Sequence, residues 1–391
     1  MKKKILIITS TFPRWPHDHV AGFVNDLAVE LAKKMPVVVL APYSKGSECY
    51  EEKDGIKIYR FKYWFEKNNN LADGGILPNL RKNPLYYLQI PAFILSEIIN
   101  AIKIVKKEKV DVIHAQWIIP QGFTALVLKK LINIKYMVTS LGGDMFPFKT
   151  NNKPLLWLYK MIIANASFVT AVNQSFVWEI DALNNKKSYY IPNGIDINKF
   201  NKTFIGNKKK NILFVGRLVE KKGLSYLIEA LKMLDDRLYH KLIIIGDGPL
   251  RATLQKLVSD LSLSRKVSFL GSISYDKLLD LYRDNMLVVV PSISTKTGDV
   301  DGFPTVYLDA MASGCPIIAS KIDGIEAIIK NNENGVVVQQ KDPKAIANAI
   351  YNLINNDTLR NSIAQKALKD VIENYSWKIV SSQYYKLIEK L

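Results

Sequence analysis

Short apolar runs alternate with amphipathic segments from one end of this chain to the other, and that alternation restricts the fold more than any other feature. Lys4 to Thr9, Val37 to Leu40, Val110 to His114, Tyr136 to Ser140, Phe168 to Val172 and Tyr189 to Ile191 read as buried strands. Ala21 to Met35 lies between the first two as a helix, with Phe23, Val24, Leu27, Ala28, Leu31 and Met35 on one face. Near-continuous apolar strands separated by helices predict a parallel sheet covered on both sides.

The pattern then restarts. Residues 200–210, FNKTFIGNKKK, are polar and basic without periodicity and read as a linker. Strands follow at Asn211 to Gly216, Leu242 to Gly246, Val267 to Leu270, Leu287 to Pro291, Ile317 to Ala319 and Val336 to Val338, with helices at Leu224 to Leu234 and Leu250 to Leu261. A chain of 391 residues is long for a single core. The expectation is an α/β protein of two doubly wound, Rossmann-like domains, with ligands at the carboxyl ends of the strands.

Composition narrows the function. Cys49 and Cys315 are the only cysteines, too few for a disulfide framework, which favours a reducing compartment. The start MKKKILIITS reads as a first strand with a basic leader, because its apolar run is too short for a signal sequence. No window is expected to span a membrane. The net charge of +18 suits nucleic acid, an acidic polymer or anionic lipid as partner, or a merely soluble basic surface. No nucleic-acid motif accompanies it. Residues 81–107 combine an apolar stripe (Ile90, Phe93, Ile94, Ile98, Ala101, Ile102, Val105) with Lys103, Lys106 and Lys107. Such a helix suits either core packing or an anionic membrane surface.

The stretch GDVDGFPTVYLDAMASGCPIIAS, residues 298–320, carries the densest chemistry. Pro304 suits a helix start, and Gly314 with Pro316 suits its end. Gly302 permits close backbone approach. The first turn offers unpaired N–H groups to an anion. Asp301 and Asp309 stand eight residues apart, on the order of 10 Å along a helix. They are placed to hold hydroxyls on either side of a bound diphosphate. Upstream, Arg217 and Lys222 put two cations beside the glycine turn at Gly216, where they would neutralise a departing diphosphate. Asp299 and Asp301 form a DxD string that could chelate a cation, and His17, Asp18 and His19 form another small cluster before Gly22.

The ordered segments GRLVEKKG (216–223), IIIGDGPL (243–250), FLGSIS (269–274), VVVPS (288–292) and DGFPTVYLDAMASGCPIIAS (301–320) resemble the large retaining glycosyltransferase family with the GT-B fold, group 1 or family 4. DVIHAQW (111–117), TSLGGDM (139–145) and IPNGIDINKF (191–200) resemble its upstream segments. The resemblance implies two domains facing a central cleft. They would be an acceptor domain over 1–200, a nucleotide-sugar domain over 201–375, and a last helix, 376–391, crossing back to the first. It implies donor binding by Gly22, Gly216, Arg217, Lys222, Gly248, Ser272, Asp301, Gly302, Phe303, Pro304, Thr305 and Asp309. Asp301 would hold the donor sugar and Asp309 the ribose, with leaving-group charge met by Arg217 and Lys222 and no metal cofactor needed. Both acids are glutamates in the family's Glu-x7-Glu motif. Each aspartate is shorter by roughly 1.3 to 1.5 Å of reach, which bears on donor choice or activity. His114, with catalytic standing, and Gln116 and Asp144 are the acceptor-side candidates. The implied activity is retaining hexosyl transfer to a lipid-linked, lipopolysaccharide or surface-polysaccharide acceptor, in the cytoplasm at the inner membrane face. A nucleotide-sugar epimerase or hydrolase of the same fold, or a basic membrane- or glycan-binding protein with a decayed site, share the pattern.

Overall fold

The computed structural model describes residues 2–15, 18, 22–65, 70–145, 152–184, 186–200, 209–296 and 305–391. The chain divides into two compact units, residues 1–194 with 377–391 and residues 195–376. The division falls ahead of the expected boundary at 200, because Ile195 and Phe200 already belong to the second unit's core.

The first unit holds strands β1 (Ile5–Ile8), β2 (Val37–Pro42), β3 (Tyr50–Lys53), β4 (Ile56–Phe61), β5 (Val112–Gln116), β6 (Lys135–Ser140), β7 (Phe168–Ala171) and β8 (Tyr189–Tyr190). They form one sheet in the order β3-β4-β2-β1-β5-β6-β7-β8. All pairs are parallel except the β3–β4 hairpin. Sequence periodicity missed that hairpin because β3, YEEK, carries no apolar face. Its turn is Asp54-Gly55, with positive φ at both positions, as a tight hairpin turn requires.

Successive side chains on a strand point to opposite faces, and the core divides accordingly. Leu6, Ile8 and Ile113 pack under the helices Gln89–Glu108, Phe123–Ile132 and Lys153–Asn165. Ile5, Ile7 and Val112 pack under Gly22–Ala32 and the last helix, Trp377–Glu389. Trp377 lies so close over Gly194 that a β-carbon there would come within 2.5 Å of the indole.

The second unit holds β9 (Lys209–Val215), β10 (Leu242–Ile245), β11 (Val267–Gly271), β12 (Asn285–Val290), β13 (Ile317–Ser320) and β14 (Val336–Val338). The sheet order is β11-β10-β9-β12-β13-β14, all parallel. Counted from β9 this is the 3-2-1-4-5-6 order of a dinucleotide-binding sheet, and its order reverses between β9 and β12.

One expectation is corrected. Contrary to the expectation that no window would suffice, Pro84–Glu108 is long and apolar enough to cross a membrane by length and composition. It consists of a short 3-10 turn, Pro84–Leu88, running into the helix Gln89–Glu108. The helix is anchored in the first unit's core through Phe93, Ala101, Ile104 and Val105.

Candidate active site

The second unit gathers its glycine turns at the reversal point. The chain leaves β9 through Gly216, whose φ of 155° is followed by exposed Arg217. The stem of Lys222 folds back over Gly216, with Cε 3.3 Å from where a β-carbon would stand. Both cations therefore flank one turn. Arg217 forms no ion pair with a described residue. Gly223 then sits at φ 62°, and a β-carbon there would fall 1.9 Å from the carbonyl oxygen of Pro291. Lys221 O accepts from Ile293 N at 2.8 Å. These contacts stack the Gly216–Gly223 turn on the loop that leaves β12 and leads to the helix Thr305–Ala312.

Gly246 and Gly248 build the floor. Their β-carbons would come within 2.1 Å of Gly216 O and 2.5 Å of Leu218 O. Leu218 N donates to Asp247 O at 3.0 Å. Gly248 thus serves the packing of the turn that carries Arg217. Ser272 is exposed just past β11.

Thr305 and Asp309 lie one turn apart on the same helix, hence on one face. Thr305 is exposed, whereas Asp309 is only 8% exposed. The hydroxyl of Tyr275, in the first turn of the helix Tyr275–Asp284, donates to Asp309 Oδ1 at 2.7 Å. Lys199 Nζ lies 5.6 Å from the centre of the Tyr275 ring. Burial pushes the Asp309 carboxyl up to about 7, against the opposing pull of Tyr275 and Lys199. Asp299, Asp301, Gly302, Phe303 and Pro304 lie outside the described residues.

In the first unit the acceptor-side candidates are enclosed. His114 and Gln116 share the sheet face that Val112 presents to the last helix, because strand side chains alternate. The His114 ring is fully buried, 5.1 Å from the Tyr384 ring. Its Nε2 lies 2.7 Å from Thr139 Oγ1 and 3.2 Å from Gln116 Nε2. Burial lowers its pKa to about 3, so the ring is neutral. Enclosed in this way, neither side chain reaches an open surface of the unit. Asp144 is a clasp: it accepts from Ile118 N at 2.8 Å, Gly142 N at 3.0 Å and Ser140 Oγ at 3.0 Å. It ties the turn after β6 to the loop after β5. Burial raises its pKa and those donors oppose the rise. Asp18 pairs with Arg14 Nε at 2.7 Å; His17 and His19 lie outside the described residues. Gly22 opens the helix Gly22–Ala32.

Two family models match in succession, glycosyltransferase family 4 over residues 20–199 and glycosyl transferases group 1 over residues 196–370. An uncharacterised glycosyltransferase of Methanocaldococcus jannaschii is 31% identical, over 97% of this chain and 96% of its own. The chain is a group 1 glycosyltransferase. A Bacillus subtilis protein provisionally assigned to teichuronic acid biosynthesis is 25% identical over 89% of this transferase and 88% of its own chain. Among solved structures, sucrose-phosphate synthase of Thermosynechococcus elongatus aligns with a TM-score of 0.77 at 19% identity, over 100% and 99% of the two chains. The Anabaena protein HepE in complex with UDP-glucose aligns at 0.71 and 17%, over 99% and 100%. The fold of the transferase is GT-B.

Sequence reasoning missed Tyr275 and Lys199 in this glycosyltransferase. Tyr275 and Lys199 reach Asp309 from distant parts of the chain, and nothing in their local sequence marks the pairing.

Proposed function

We propose that the transferase is a retaining hexosyltransferase. It moves a sugar from a nucleoside diphosphate sugar to a lipid-linked or surface-polysaccharide glycan at the inner membrane face, without a metal ion. The observation that carries this reading is the stacking of the Gly216–Gly223 turn, with Arg217 and Lys222, on the loop that leads to the helix Thr305–Ala312. Two cations flanking one glycine turn suit a diphosphate. Asp309 suits the ribose and Asp301 the donor sugar, with the backbone of 302–305 between them. As the glycosidic bond breaks, Arg217 and Lys222 meet the charge that develops on the leaving diphosphate. One of its oxygens takes the acceptor proton on the same face, so the anomeric configuration is kept. The UDP and UDP-glucose complexes of the structural neighbour support a nucleotide-sugar donor. Relatives named for teichuronic acid and amylovoran biosynthesis support a glycan acceptor.

The membrane site is supported by charge and by one helix face. Leu88, Leu95 and Ile99 are exposed at helical spacing on Gln89–Glu108 and its lead-in, and the chain carries +18. An apolar stripe with a basic surround suits an anionic bilayer.

A thermal-shift panel of nucleoside diphosphates and their sugars, with and without EDTA, tests the donor side. A selective rise that survives EDTA is expected, since a ligand bound at a hundred times its Kd adds about 2.7 kcal/mol. No rise with any of them overturns the donor reading, and a rise abolished by EDTA overturns metal independence. The anomeric configuration of the product by NMR tests retention, and sedimentation with neutral against anionic vesicles tests the membrane surface.

A further inference from the structure

The first unit contains a cavity of about 500 Å³ that the donor chemistry leaves unused. It lies at the carboxyl ends of β1, β5 and β6, where the sheet order reverses between β1 and β5. Open α/β sheets bind ligands at such points. Its walls are hydrocarbon: Leu77 and Leu80 from the helix Ile76–Lys82, Ile90 and Ile94 from Gln89–Glu108, and Ile119 and Leu155 opposite. Polar groups come only from Ser10, Thr11, the Gly143-Asp144 turn, the Tyr87 hydroxyl and the Trp117 indole N–H, and the Asp144 carboxylate is already engaged by backbone donors.

These walls discriminate between ligands. A free sugar needs hydrogen-bond partners on most sides, and burying its hydroxyls against leucine and isoleucine would be costly. A hydrocarbon chain needs none. At roughly 30 Å³ per methylene, about the volume of a water molecule, the cavity holds a chain of on the order of ten to fifteen carbons. The way in is apolar too, because Tyr87 lines the cavity and is exposed, and its neighbours Leu85 and Leu88 are exposed as well. A second, independent observation points to the same place. Trp117 lines the cavity with φ 80° and ψ 139°. Bulky side chains enter that region only under strain, and such strain collects at ligand sites.

We propose that this cavity holds the hydrocarbon chain of an amphiphilic acceptor, with its polar head at the Ser10, Thr11 and Gly143 end. The assignment rests on the transferase reading for the word acceptor, and on the cavity alone for the chain.

The test titrates the full-length protein calorimetrically with n-hexyl, n-octyl and n-decyl β-D-glucopyranosides below their micelle concentrations. Kd is expected to fall by up to about fourfold per added methylene, and Ile90→Trp, which fills the cavity, is expected to flatten the series. Equal affinity for all three lengths in the wild-type protein, or an unchanged series in a folded Ile90→Trp variant, overturns the proposal. Should that variant not fold, the wild-type protein is labelled with octyl glucoside carrying a terminal diazirine. Label within residues 76–94 or 117–155 supports the cavity, and label only elsewhere overturns it. With donor present, KM for the same glycosides should fall in the same order. Chain-length-dependent binding with a flat KM makes the chain a bystander lipid and overturns the acceptor assignment. Nucleotide binding is followed on the same samples. Its absence alongside a steep chain series removes the donor reading and leaves the cavity standing, and its presence alongside a flat series removes the cavity assignment alone.

Discussion

Tyr275 donates its hydroxyl to Asp309 Oδ1 at 2.7 Å and thereby orients a carboxyl that the rest of its surroundings desolvate. Only one of the two carboxyl oxygens, Oδ1, takes this bond. With the carboxyl raised to about 7, a ribose donating hydroxyls to it binds the ionised form best. Nucleotide affinity should therefore tighten as pH rises through about 7 and level off above it. Asp309→Asn should flatten that profile. Tyr275→Phe removes a donor that favours the ionised form, so it should move the midpoint to higher pH. Calorimetric Kd values between pH 5.5 and 8.5 read all three.

Arg217→Ala should lower transfer by about a hundredfold or more, as loss of a leaving-group stabiliser does. Arg217 is exposed, so the melting temperature should stay near the wild-type value. Lys222→Ala should cost a comparable factor. Initial rates with saturating acceptor decide it, and near-normal rates in both variants would remove their roles.

Gly223→Ala should unsettle the second unit. The added methyl would meet the Pro291 carbonyl at 1.9 Å, in a backbone conformation that suits glycine. A loss of about 2 kcal/mol or more is expected, seen as a lower urea midpoint together with weaker nucleotide binding.

Glu97 is wholly buried between two helices, accepting from Thr124 Oγ1 at 2.5 Å and Gln121 Nε2 at 3.0 Å. Burial raises it to about 7. A carboxyl raised in the folded state costs nothing below its ordinary range. It destabilises progressively as pH rises from there to about 7, and fully above. Glu97→Gln should therefore stabilise the protein by up to about 3 kcal/mol at pH 8. No comparable gain is expected at pH 4. Melting curves at the two pH values provide the comparison.

His114→Ala should act on stability. The side chain fills a fully buried space against Tyr384 and meets Thr139, so its loss should cost about 2 kcal/mol or more. The melting-temperature increment given by a bound nucleotide diphosphate should be unchanged. A variant with wild-type stability and no transfer would instead give His114 a chemical part.

Much of the architecture was legible along the chain. Apolar runs such as ILII at 5–8 and NILFV at 211–215 became central parallel strands, because a strand buried on both faces has few other ways to be written. The glycines at 216 and 223 were legible as turns, and the structure adds what they make room for: the Lys222 stem and the Pro291 carbonyl. Residue type did not show the surroundings at β5. His114 and Gln116 have the chemistry of a site, yet strand parity turns both towards the last helix, and parity within a sheet depends on which helix covers which face. The Leu85 to Ile99 region divided in a similar way. Its apolar stripe was visible and included Phe93, which is buried, but the second apolar face with Leu95, which is left to solvent, was not read from the sequence.

What the sequence determined by itself is the kind of protein: a group 1 glycosyltransferase of two doubly wound α/β halves. Periodicity and turn chemistry are local, and each is written within a few residues. The tertiary structure alone decided that Tyr275 and Lys199 converge on Asp309, that the β9 and β12 loops stack, and that an apolar cavity stays open beside Trp117. These are contacts between segments far apart in the chain, fixed by strand order and by which side chains fill the space between layers, and no local pattern encodes them.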